Sequence, residues 1–154
     1  KWHGLAQVLR TPGEGEELAA NTTRETLGGM LGAVSRMDEA AIDACWTAYA
    51  TDERRAAQLA LYRSGDFEKL APYQGRLAAL GVPALVVWGA GDAFAPLAGG
   101  RRLRDEIPGA RLVILADEGH FLFDDAPALT AGLVAAFLGE VAGQAAASGG
   151  ASGA

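Results

Sequence analysis

Two short, unbroken apolar runs constrain this chain more than any other feature: Val82–Trp88, VPALVVW, and Arg111–Ala116, RLVILA. A run of that length without polar alternation reads as a strand covered on both faces, the habit of parallel strands. Between the runs, Pro96 can open a helix through Leu103 to Ile107, and Pro108 with Gly109 breaks it. Strand, helix, strand is a β-α-β unit, with a right-handed crossover expected from chain chirality. A helix from about Gln74 to Leu80, stopped at Gly81, leads into the first strand. A last helix is expected to open near Pro127 and to carry Leu129, Leu133, Val134, Phe137, Leu138 and Val141 on one face. From Gly143 the Ala-Gly-Ser sequence is expected to dissolve into a flexible tail, residues 143–154.

The first 73 residues have a different texture. Leu18, Leu27, Met30, Leu31 and Val34 recur at roughly helical intervals, and no alternating β-branched run appears. Asp38 can cap a second helix holding Ile42, Cys45, Trp46 and Tyr49; Thr51 with Asp52 and Glu53 can open a third, through Leu59 to Tyr62. Gly13, Gly15, Gly28, Gly29, Gly32 and Gly65 are expected at the joints, giving short helices at varied angles. Such a cluster makes a poor independent core and a serviceable lid.

Charge and cysteine content narrow the function classes. With 13 basic and 19 acidic residues the net charge is −6, so the chain offers no positive field for phosphates, and nucleic acid is not an expected partner. The single Cys45 forms no internal disulfide and points to a reducing cytoplasm. No run is read as long enough to span a membrane, and the first residues lack a signal-peptide layout. Two histidines and one cysteine give no zinc spacing, and GAGDAF departs from a dinucleotide fingerprint by placing Phe94 where the last glycine belongs. The chain opens on Lys1, in mid-pattern, and is read as a piece of a larger protein. Its oligomeric state is not readable.

The chemistry is expected where strands deliver their C-terminal loops. Asp92 follows Trp88 by four residues, and His120 follows Ala116 by four. Adjacent strands lie about 4.8 Å apart, so the two loops can bring a carboxylate and an imidazole within hydrogen-bond reach, roughly 2.6–3.2 Å. Such a pair is the minimum for a general base, the carboxylate fixing the tautomer and steadying the imidazolium. Asp117, Glu118, Asp124 and Asp125 compete as partners of the imidazole, although the first two suit a turn and the last two a helix cap.

VPALVVWGAGDAFAP followed by IPGARLVILADEGHFLFDDAP, over about Leu77 to Leu138, resembles the C-terminal part of the α/β-hydrolase fold. The resemblance rests on Trp88, Gly89, Asp92, Pro96, Gly119, His120, Asp125 and Pro127. It implies an α/β core portion at 74–142 preceded by a helical cap at 1–73, with Asp92 as acid and His120 as base. ALYRSGDFEKLAPY is similar to the lid of the branch holding haloalkane dehalogenases, epoxide hydrolases and esterases. The implied activity is cofactor-free and metal-free hydrolysis of a small, mainly apolar molecule through a nucleophile-His-Asp triad. Phe94, Phe121, Leu122 and Phe123 would line the pocket mouth, and Tyr62 would contact substrate from the lid, where a core tyrosine is the plainer reading. The family's nucleophile elbow, G-x-S-x-G or its aspartate or cysteine form, does not occur in the sequence. Ser35 is placed in a helix, Ser64 in a turn, Ser148 and Ser152 in the tail, and Cys45 lacks flanking glycines. The chain is therefore expected to hold two members of a triad and to be inactive alone. The alternative is an inactive fragment or an interaction module with the same fold.

Overall fold

The computed structural model describes residues 4–150. The chain divides between Gln74 and Gly75 into two compact units, each taken by itself below.

The first unit is helical: α1 (Gly4–Arg10), α2 (Glu14–Asn21), α3 (Arg24–Gly32), α4 (Glu39–Trp46) and α5 (Asp52–Ser64). Side-chain caps fix most of the starts. Thr23 accepts from the Thr26 N–H at 3.2 Å while Thr26 Oγ1 accepts from the Thr23 N–H at 2.9 Å. Asp38 accepts from the Ala41 N–H at 2.8 Å, and Thr51 from the Arg54 N–H at 3.3 Å. The reciprocal Thr23–Thr26 cap ends α2 and restarts the chain as α3, so Leu18 lies in one helix and Leu27, Met30 and Leu31 in the next. Gly15, Gly28, Gly29 and Gly32 accordingly lie inside helices and not at joints. At Gly15 the reason is packing: a Cβ there would sit 2.7 Å from the Leu9 carbonyl oxygen and 3.1 Å from Leu59. Leu9, Ala19 and Leu59 form the core where α1, α2 and α5 meet, with Leu5, Leu18 and Tyr62 packed against it. At the surface of this unit Arg63 makes a two-point ion pair to Glu16, at 2.7 and 2.9 Å.

The second unit opens with a 3-10 turn, Arg76–Ala79, where the sequence suggests an α-helix from Gln74. Gly75 at φ +77° and Gly81 at φ +61° bound the segment, leaving too few residues for a sustained α-helix. Strand β1 (Leu85–Gly89), α6 (Leu97–Glu106), β2 (Arg111–Leu115), the short α7 (Leu122–Asp125) and α8 (Pro127–Gly150) follow. β1 and β2 pair in parallel, with Leu85 opposite Arg111 and Gly89 opposite Leu115. Gly109 at φ +77° makes the turn between α6 and β2. Among the described residues the sheet has two strands. The strands are therefore half covered, not buried on both faces as their composition suggests: Val86 and Leu115 are buried, whereas Ile114 is 37% exposed.

Two further expectations are corrected at α8. The helix does not end at Gly143 but continues to Gly150, because the alanines of AGQAAASGG are strong helix formers; residues 151–154 of the expected tail lie outside the described residues. Pro127–Ala147 is also long and apolar enough by length and composition to cross a membrane, contrary to the reading of the sequence. Eight of its 21 residues are alanine. The helix also carries a charge, Glu140, paired with Arg111 at 2.7 Å, and its Phe137 ring lies 5.0 Å beneath the Arg111 guanidinium.

Candidate active site

The ends of β1 and β2 are built to let two loops touch. Gly89 closes β1, and a Cβ on it would stand 2.5 Å from the Glu118 carbonyl oxygen and closer still to that of Gly119. Only glycine permits this approach. The loops are then laced together by backbone bonds, Ala90 N–H to Leu115 O at 2.9 Å and Gly91 N–H to Glu118 O at 3.0 Å. Three residues past Gly89, Asp92 turns back on its own chain. Its Oδ1 accepts from the N–H groups of Phe94 at 2.9 Å and Ala95 at 2.7 Å, a local turn that aspartate makes well.

Asp92 and His120 meet. Nδ1 of the imidazole lies 3.1 Å from Oδ1 and 3.0 Å from Oδ2. The carboxylate is 7% exposed and the imidazole 42%, so the acid is sheltered and the base faces out. Burial pushes the Asp92 carboxyl up, but the Ala95 N–H, the His120 ring and the Phe94 N–H outweigh it and hold the group below the usual carboxylate range. An ionised Asp92 can only accept, so the shared proton of the neutral ring sits on Nδ1 and Nε2 keeps its lone pair. An imidazole held this way has the geometry to accept a proton at Nε2.

The ring is steadied by two aromatic edges. Phe94 lies 5.1 Å from the imidazole centroid at 66°, and Phe121 5.2 Å away at 89°. Leu122 and Phe123 part from this group: Leu122 is buried, and Phe123 borders a groove of about 480 Å³ with Trp88, Leu103, Val134 and Phe137. Asp124 and Asp125 lie within α7. Tyr62 belongs to the core of the helical unit, and its carbonyl accepts from Arg10. Ser35 lies in the loop before α4, outside any helix, and its hydroxyl accepts from the Met37 N–H at 3.1 Å; Ser64 is the last residue of α5. Cys45 is half-buried in α4.

The sequence reading did not see what Trp88 and Ala95 contribute. The indole Nε1–H donates to the Ala95 carbonyl at 2.9 Å, and Gly99 and Gly100 make room for the ring. The paired glycines at the start of α6 were the available signal, since two in one helical turn are costly unless something large lies against them.

The fold is similar to that of several solved structures. The chain is similar to a hydrolase from Pseudomonas aeruginosa PA01, with 26% identity and a TM-score of 0.58 over 90% of this chain and 52% of the other. It is similar to Est816, an N-acyl homoserine lactone degrading enzyme, with 26% identity and a TM-score of 0.56 over 87% and 54%. A third similarity is to CarC, a serine hydrolase involved in carbazole degradation, with 25% identity and a TM-score of 0.59 over 76% and 47%. The chain spans about half the length of each of these proteins. No curated protein matches it. Residues 18–127, a span that takes in most of the helical unit and the whole Asp92–His120 pair, match the alpha/beta hydrolase fold, and the chain belongs to that family.

Proposed function

We propose that this chain supplies the acid, Asp92, and the base, His120, of a hydrolase that uses a nucleophile-His-Asp triad on a small, mainly apolar substrate, with no cofactor. The observation that carries the reading is the pair itself: a sheltered carboxylate 3.0 Å from the Nδ1 of an outward-facing imidazole. Nε2 would take the proton of the attacking group, and Asp92 would steady the imidazolium so formed. The nucleophile comes from residues outside these 154, since no elbow sequence lies among them. In this reading the chain is the C-terminal portion of such an enzyme, residues 1–73 are its cap, and Phe94 and Phe121 form apolar walls beside the base. Tyr62 serves the cap's own packing. The half-buried thiol of Cys45 suits a cytoplasmic setting.

The test uses the longest product of the gene. Its coding sequence ahead of Lys1 should carry a strand-turn-helix elbow bearing serine, aspartate or cysteine. On an activated ester, His120→Ala should lower kcat by about a thousandfold or more with KM little changed. An elbow with glycine or alanine at the nucleophile position, or undiminished turnover in His120→Ala, overturns the reading.

A further inference from the structure

Trp88 stands where it can govern the acid without touching it. Its ring leaves the end of β1 and lies across the first turn of α6, where a Cβ on Gly100 would be 2.8 Å from the ring and one on Gly99 3.4 Å. The glycines thus form a slot for a bicyclic ring. Inside the slot the indole N–H donates to the carbonyl oxygen of Ala95 at 2.9 Å, and the N–H of that same residue donates to Asp92 Oδ1 at 2.7 Å. A half-buried indole commonly finds an acceptor for its N–H. This acceptor belongs to the residue that holds the carboxylate, so the placement of Ala95 by Trp88 sets the pitch of Asp92.

We propose that Trp88 is the positioning residue of the acid–base pair: its indole N–H, acting through Ala95, aims the Asp92 carboxylate at Nδ1 of His120. A ring needed only for bulk would be served by a bicyclic ring that lacks the N–H. The donor adds a side-chain link between β1 and the loop to the backbone bond from the Asp92 N–H to the Gly89 carbonyl, because it ties Ala95 to a side chain packed against α6. The consequence for catalysis rests on the function proposed above, whereas the geometry does not, so the test is read on the pair itself.

The experiment is nitrogen-15 NMR of the full chain labelled at histidine, with His120→Gln identifying the signal against that of His3. Trp88 is replaced by phenylalanine and, separately, by benzothienylalanine, which keeps the bicyclic shape and puts sulfur in place of the N–H. In the parent chain the neutral imidazole should carry its proton on Nδ1, slowly exchanging. In both variants that proton should exchange about tenfold faster, the factor matching one hydrogen bond of ordinary net strength, and the Nε2–H tautomer should gain population. Asp92→Asn marks the limit of the effect. An unchanged tautomer and exchange rate in the benzothienylalanine chain, with far-ultraviolet dichroism like the parent's, overturns the proposal; that variant also decides the matter should Trp88→Phe not fold. If the tautomer shifts while turnover of the longer gene product ignores His120, the positioning role stands and the catalytic reading falls. If turnover needs His120 and the tautomer is unmoved, Trp88 alone loses its role.

Discussion

Asp92 has two duties that substitutions can separate. It accepts two backbone N–H bonds that shape its loop, and it presents charge to His120. Asparagine keeps an oxygen for the N–H groups and removes the charge, whereas alanine strands both donors. Asp92→Ala should therefore cost about 2–3 kcal/mol in chemical denaturation and Asp92→Asn clearly less; equal losses would show that the turn bonds carry no weight. The same carboxyl sets a pH dependence. Its pKa in the folded chain lies below its unfolded value of about 3.9, so its stabilising effect is complete above that value and is lost as pH falls through the lower folded one. Glu16 behaves alike in the helical unit: bonds from Arg63 and from the Gly13 N–H bring it down to about 2, so its contribution fades between 4.5 and about 2. Glu16→Gln should flatten the acid limb of the helical unit's unfolding curve, and Asp92→Asn that of the other unit. Because Glu16 is exposed, its effect should shrink in high salt, where a sheltered Asp92 should not.

Elements in this chain are legible where one residue decides them and illegible where a neighbour does. Asp38 and Thr51 announce α4 and α5 by cap chemistry alone, and both caps are formed. Asp38→Ala should accordingly cost about 1 kcal/mol, read from thermal unfolding. The two strands, the break at Pro108–Gly109 and the convergence of Asp92 and His120 were equally visible, since run length and strand-end spacing are local properties. By contrast, nothing near Thr22 and Thr23 marks a restart except a reciprocal threonine pair, a weaker signal than the periodicity running through it. Gly15 looked like a joint because the atoms it avoids, on Leu9 and Leu59, come from elsewhere, and Gly100 likewise owes its place to a distant ring, that of Trp88. Gly100 lets the two effects be weighed. Alanine gains about 1 kcal/mol of helix propensity over glycine, but its Cβ would meet the Trp88 ring at 2.8 Å. Overpacking of that kind costs roughly 1–3 kcal/mol. Gly100→Ala should lower stability and weaken the indole hydrogen bond, visible as a change in Trp88 fluorescence; Gly132→Ala, where a Cβ meets nothing within 4 Å, should raise stability.

At the scale of the whole molecule, strand composition and strand surroundings disagree. RLVIL is the sequence of a strand meant to be covered, yet its Ile114 is 37% exposed in a sheet of two strands among the described residues. The chain also spans about half the length of the solved hydrolases it resembles. An open sheet of apolar strands with unpaired edges invites pairing with another copy. Light scattering at micromolar concentration should therefore show self-association of the 154-residue chain, and a charge on the exposed strand face should oppose it. Ile114→Lys is the informative change because its sign depends on context. In the short chain the lysine can reach water, so stability should fall by only about 1 kcal/mol while self-association falls. In a longer gene product whose sheet is complete, the same lysine would be taken out of water without a partner, at a cost of several kcal/mol. A lysine tolerated in both lengths would mean that this face stays open in the mature fold. A lysine ruinous in both would mean that the short chain already covers the face by association, and the scattering of the parent chain would then be concentration-dependent down to the lowest level measured.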